Sequence, residues 1–272
     1  MNIGKYIKAS NDWLKENRLG YDRITLTRVK ERLKSSGLLS VEADSKTAKG
    51  SKHKYLTGIL YLAPHKTIGF NTCPYAKTCT KDCLFNAGRG RFTSVTEARI
   101  IKTLALLHDP ETFKANLIKD INRLIVQAKA KKMKPVIRLN GTSDLIIERV
   151  FPDILSLFSS KVMFYDYTKN PNRFNPMPYD LTFSYDGVNI QACQDILHSG
   201  QGRVAVVFKD FLPTYFMGFR VIDGDDSDLR FLDPQGVVVG LIAKGPAKSD
   251  SANDKFVIDP NTDKRCLFGI AS

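Results

Sequence analysis

The chain has 272 residues, 43% of them hydrophobic and 25% charged, which excludes wholesale disorder and allows one large core with a small appendage. No apolar run approaches the roughly 18–20 residues of a bilayer-spanning helix, and MNIGKYIKAS lacks the apolar stretch of a secretory leader. The expectation is a soluble, cytoplasmic protein with no membrane partner. Its formal net charge is +13, and residues 1–54 carry 13 Lys/Arg against 6 Asp/Glu, or +7 in a fifth of the chain.

That front piece reads as two short helices, around Tyr6–Leu14 and Ile24–Leu38, followed by a polar stretch (40–54) with the composition of a linker. A basic segment of this kind fits a polyanion, nucleic acid above all. From Tyr55 to the end the pattern becomes strand, polar loop, helix, repeated. TGILYL (57–62) is the first strand. Ser94 and Glu97 stand in capping-box spacing at the head of the next helix, and Asp109-Pro110 starts a second. In that second helix Phe113, Leu117, Ile121, Leu124 and Ala128 keep helical spacing. Strands follow at 135–139, 162–166, 180–184, 203–208, 219–223 and 237–241, with a helix broken at Pro152 and another around Asn189–His198. Short, β-branched strands that are apolar on both faces point to a parallel sheet. The expected fold is α/β, a partial or full β/α barrel over 55–272, preceded by the basic helical segment 1–54.

Compact polar clusters follow nearly every strand. They include Arg138/Asn140/Thr142/Asp144, Asp166/Tyr167/Lys169, Ser184/Asp186, Lys209, Asp223/Asp225/Asp226/Asp228 and Lys244. Sites in such folds form from loops at the carboxyl ends of strands. By chemistry, Arg138 and Asn140 can grip a carboxylate or phosphate, with Asp144 orienting the arginine. Asp166, Tyr167 and Lys169 can serve as catalytic acid/base groups. Asp223 and Asp225 can bind a ribose, an amine or a divalent cation, although an Asp/Gly turn between strands explains them better than a metal does.

Three of the five cysteines, Cys73, Cys79 and Cys83, lie within eleven residues in a loop spanning 71–91, while Cys193 and Cys266 are isolated. An odd number with one tight cluster argues for metal or redox chemistry over a disulfide framework. One reading is a [4Fe–4S] cluster on three thiolates, leaving one iron open. The other is zinc, with His65 as fourth ligand. The segment AGRGR (87–91) can receive an anion at the head of a helix.

NTCPYAKTCTKDCL, GRGRF, RLNGTSD, FYDYTK, LTFSYDG, VIDGDDSDLRFLDP and GLIAKG resemble a set of bacteriophage-encoded proteins with a Cys-rich loop, over roughly residues 46–246. More distantly, a strand leading into a three-cysteine loop resembles the radical S-adenosylmethionine (SAM) enzymes. That resemblance implies a cluster on Cys73, Cys79 and Cys83, SAM on the fourth iron, an external electron donor, and hydrogen abstraction from a substrate at the strand ends. The gaps here are five and three residues, where that family has three and two, and Asp82 stands where it has an aromatic residue. Phage encoding would place the protein in the host cytoplasm. The leading functional expectation is an iron–sulfur enzyme, radical SAM-like, acting on a phosphorylated or nucleic-acid-linked substrate. The alternative is a metal-stabilised nucleic-acid-binding protein of phage replication or host takeover. Third is a metal-dependent nuclease built on Asp144, Asp166 and the 223–228 acids.

Overall fold

The apolar residues of the front piece are not those of an exposed arm. Leu14, Ile24, Val29 and Leu38 are each no more than 1% exposed in the computed structural model. Burial of that completeness stabilises by about 1.5–3 kcal/mol per side chain. The structure describes residues 2–20, 23–43, 50–80, 83, 92–173, 179–249 and 255–266. They divide into two compact units, Met1–Pro74 with Arg89–Phe164, and Tyr75–Gly88 with Tyr165–Ser272.

In the first unit, α1 (Ile3–Glu16) starts where the Asn2 side chain accepts the Gly4 N–H, and α2 (Leu26–Lys34) starts where Thr25 accepts from Arg28. Both pack against α3 (Thr93–His108). The capping box expected at Ser94 and Glu97 does not form. The helix begins at Thr93 without a side-chain cap. Glu97 is instead a buried carboxylate holding Arg23 at 2.6 Å and Arg28 at 3.0 Å. Two guanidinium groups from the front piece outcompete a local backbone contact for the same acid. The cap of α4 (Pro110–Ala130) forms as expected, with Asp109 accepting the Thr112 N–H at 3.0 Å and Pro110 in the first turn. Its face of Phe113, Leu117, Ile121, Leu124 and Ala128 is buried. Two short helices, α5 (Ile147–Val150) and α6 (Pro152–Phe158), flank Phe151.

The strands of this unit lie in the order β1 (Leu39–Val41), β2 (Tyr55–Leu60), β3 (Lys134–Arg138) and β4 (Met163–Thr168). β1 is antiparallel to β2, and β2, β3 and the start of β4 are mutually parallel. β1 falls at the start of the polar stretch expected to be a linker. The Asp120 carboxylate draws it in by accepting the backbone N–H groups of Gly37, Leu38 and Leu39.

β4 runs across the division, contributing Tyr165–Thr168 to the second unit. There it is followed by β5 (Tyr179–Ser184), β6 (Val204–Phe208), β9 (Val238–Ile242), β8 (Phe219–Asp223) and β7 (Tyr215–Phe216). The pairs β5–β6, β6–β9 and β9–β8 are parallel, β7 is antiparallel to β8, and a short β10 (Val257–Ile258) joins β6 in parallel. Helix α7 (Ile190–His198) packs Cys193, Ile196 and Leu197 into a core with Phe183, Val204, Phe208 and Phe216. Architecturally the protein is mixed α/β with predominantly parallel strands. Among the described residues no helix is long and apolar enough to cross a membrane.

Candidate functional site

In the first unit the start of the cysteine loop is tied to the carboxyl ends of β2 and β3. The Thr72 hydroxyl donates to the Ala63 carbonyl at 2.6 Å, and the Thr72 carbonyl accepts the Asp144 N–H at 2.8 Å. Cys73 Sγ accepts the His65 backbone N–H at 3.4 Å and lies 3.9 Å from the Thr142 carbonyl oxygen. N–H donation to sulfur stabilises a thiolate and is one of the ways a protein tunes an iron–sulfur centre. At the same place Gly141 is obligatory, because a Cβ there would sit 2.5 Å from the Tyr61 ring and 2.6 Å from Ile59.

Arg138, Asn140 and Asp144 are all buried. Asn140 does not present its amide to a ligand. Its Oδ1 accepts from Ser143 Oγ and the Leu145 N–H at 2.8 and 2.9 Å, and its Nδ2 donates to the Leu145 carbonyl at 3.0 Å. This side chain closes the 140–145 loop. Self-bonding of this type is a common alternative use of Asn in loops.

In the second unit the same loop continues against other strand ends. The Thr78 hydroxyl donates to the Asp186 carbonyl, just past β5. Cys79 packs on Ala243, Ala247, Phe256 and Val257, a small apolar cluster at the ends of β6 and β9 that Val207 also joins. Asp186 caps the turn into α7, its carboxylate accepting from the Val188 and Asn189 N–H groups at 3.1 Å. Gly187, at φ +93°, lies against the Lys255 carbonyl, so the C-terminal segment crosses this strand end.

Several acids of the second unit are held by partners. Asp166 is fully buried and accepts from the Tyr179 hydroxyl at 2.8 Å and the Tyr167 N–H at 3.2 Å. The hydroxyls of Tyr165 and Tyr167 both reach Asp228, at 3.3 and 3.4 Å. Lys169 is half-buried and its charge acts on Cys193. Asp223 Oδ1 accepts the Asp225 N–H at 2.7 Å, the mark of an Asp/Gly turn. Asp225 accepts the Ile242 N–H at 2.9 Å and pairs with Lys244. The structure thus brings Asp223, Asp225 and Lys244 together, Asp166 with Tyr179, and, through the other face of β4, Tyr165 and Tyr167 with Asp228.

Neither isolated cysteine resembles an activated thiol. Burial pushes Cys193 up to about 12 and Cys266 up to about 11. Arg265 went unnoticed in the sequence. Its guanidinium binds Asp263 and the Tyr185 hydroxyl and lies over the Tyr185 and Phe216 rings, fastening the C-terminal segment to the second core. A lone basic residue in a polar tail carries no signal of this.

Cys73, Cys79 and Cys83 are half-buried and outside any disulfide. Among the described residues no three His, Cys, Asp or Glu side chains gather as a metal-holding group. Three such thiols fit an iron–sulfur cluster by the chemistry of the donor set, not by a gathered geometry. AGRGR (87–91) lies outside the described residues.

A family model described as Gene product 88 matches residues 33–260. A family of that description fits the resemblance to bacteriophage-encoded proteins. No curated protein and no solved structure matches the chain.

Proposed function

The chain belongs to the Gene product 88 family, and we propose that it is an iron–sulfur enzyme of the radical SAM-like kind, acting on a phosphorylated or nucleic-acid-linked substrate. The observation that carries the reading is the setting of Cys73, whose Sγ accepts the His65 backbone N–H and lies near the Thr142 carbonyl at the carboxyl ends of β2 and β3. Within the second unit, Cys79 packs at the carboxyl ends of β6 and β9. Loops at that end of parallel strands are where α/β folds place their chemistry. Within each unit consecutive strands lie side by side, β2-β3-β4 in one and β4-β5-β6 in the other, an order that suits a partial β/α barrel.

Cys73, Cys79 and Cys83 would hold the cluster, which when bound supplies one-electron chemistry through an open iron. The chain's own residues would then bind and orient the substrate. Arg138 is the candidate for an anionic group, and the buried Asp166–Tyr179 pair and the half-buried Tyr167–Asp228 pair supply hydrogen-bonding groups. An external reductant is required as partner.

Anaerobically reconstituted protein given SAM and dithionite should release 5′-deoxyadenosine and methionine. A loaded cluster with no cleavage would overturn the SAM part of the reading. Protein that takes up one zinc and no iron would overturn all of it, in favour of a metal-stapled binding protein.

A further inference from the structure

The basic residues expected to meet nucleic acid in the front piece are partly committed elsewhere. Arg23 and Arg28 hold Glu97, and Lys8 pairs with Asp12. Arg32 binds Ser35 and Ser36. A second concentration of charge emerges only when the strands are paired. Lys52, His53 and Lys54 precede β2, Lys129, Lys131 and Lys132 precede β3, Lys134 opens β3, and Lys161 precedes β4. All eight side chains are exposed.

Sheet register aligns Lys134 with Lys161 and sets Lys54 one position out of that row. The Lys134 N–H donates to the Lys54 carbonyl at 2.9 Å, and Tyr55 stands opposite Lys134. Val136 stands opposite Met163, which places Lys161, two residues earlier, beside Lys134. Neighbouring strands are about 4.8 Å apart, so the three lysines span roughly 10 Å. Over that axial length one strand of a duplex presents about three phosphates.

The helix dipole at the end of α4 accounts for Lys129 and Lys131. It does not account for Lys52, Lys54 or Lys134, which stand at no α-helix end. Among the described residues only Lys131 of this group is ion-paired, to Glu42. The cations are all lysine and histidine, with no arginine. Lysine binds phosphate as a point charge and lacks the planar fork that reads a base edge bidentately.

We propose that the amino ends of β2, β3 and β4 form a lysine ridge that binds the phosphate backbone of nucleic acid without reading its sequence. Within the first unit the ridge stands at the opposite strand ends from Cys73, and it depends on no cluster.

Fluorescence anisotropy with a labelled oligonucleotide, single-stranded and duplex, at 50–200 mM salt tests it. The Lys54→Gln/Lys134→Gln/Lys161→Gln protein should bind roughly tenfold more weakly or worse, with log Kd depending on log salt less steeply by about 2–3. The corresponding triple Lys→Arg protein should bind within about threefold of wild type, which separates lost charge from lost fold. Lys15→Gln/Lys30→Gln/Lys34→Gln, on α1 and α2, should change affinity by less than about twofold. The proposal is overturned if the α1/α2 variant weakens binding as much as the ridge variant does. It is equally overturned if wild type binds neither oligonucleotide, or binds phosphatidylserine vesicles and no oligonucleotide.

Discussion

Asp120→Ala should be among the most damaging single changes in the first unit, although Asp120 lies on a helix with no part in the proposed chemistry. Its carboxylate is almost fully buried. It accepts from Gly37 at 2.9 Å, from Leu38 and from Leu39 at 3.3 Å, and Arg123 approaches at 3.3 Å. Hydrogen bonds to a charged acceptor contribute about 1.5–3 kcal/mol each, and buried donors left without an acceptor cost about 1–3 kcal/mol. Counting the Gly37 and Leu38 donors fully and allowing the loop to relax gives a loss of about 3–4 kcal/mol. The charge also opposes the burial that depresses Lys102 and Arg32. The sole tryptophan, Trp13, lies on α1 and reports on this unit. Followed by its fluorescence in urea, the midpoint should fall by about 1.5–2 M at an unchanged slope of roughly 2 kcal/mol/M. Asp120→Asn should recover part of the loss by keeping one acceptor oxygen. A midpoint shift under about 0.5 M for the alanine variant would refute the claim that this carboxylate fastens the front piece.

Lys102 is buried on α3, donates to the Leu38 carbonyl at 3.2 Å, and is lowered to about 8, chiefly by burial and next by the charges of Arg32 and Arg99. Its native value lies below its unfolded one, so between pH 8 and 10.5 the unfolded chain binds the extra proton and stability rises with pH. Over that window wild type should gain about 3 kcal/mol relative to Lys102→Met, and parallel pH profiles for the two proteins would contradict this. Tyr179→Phe removes a donor from the buried Asp166 carboxylate and should cost about 1–3 kcal/mol in urea unfolding; a neutral result would show that Asp166 does not depend on it. Cys193, fully buried and pushed up to about 12, should resist alkylation at pH 8 until urea unfolds the chain, as peptide mass mapping would reveal.

Elements specified by neighbouring residues were legible in the sequence. The Asp109-Pro110 start of α4, its buried stripe and the short parallel strands need only local spacing. What escaped depends on partners far along the chain. Glu97 has capping-box spacing, yet its carboxylate serves Arg23 and Arg28, about seventy residues earlier. β1 is hidden in a polar stretch because its edge position is set by Asp120, some eighty residues later. Arg203, buried on Asp180, and Arg265, stacked on Tyr185 and Phe216, appear in the sequence as ordinary surface charge. The strand-end clusters were visible as a set, but their members differ in role. Asn140 closes its own loop, Asp186 caps a turn, and Asp225 is neutralised by Lys244. The grouping of Lys54, Lys134 and Lys161 exists only after strand pairing, since the three are separated by 80 and 27 positions in the chain.

Iron and acid-labile sulfide, measured together on anaerobically reconstituted protein and its cysteine variants, test the central proposal most directly. Wild type should be brown and hold about four of each per chain. Cys73→Ala, Cys79→Ala and Cys83→Ala should each lose them, while Cys193→Ala and Cys266→Ala should not. A colourless wild-type protein, or cluster retention in any of the first three variants, would contradict the account.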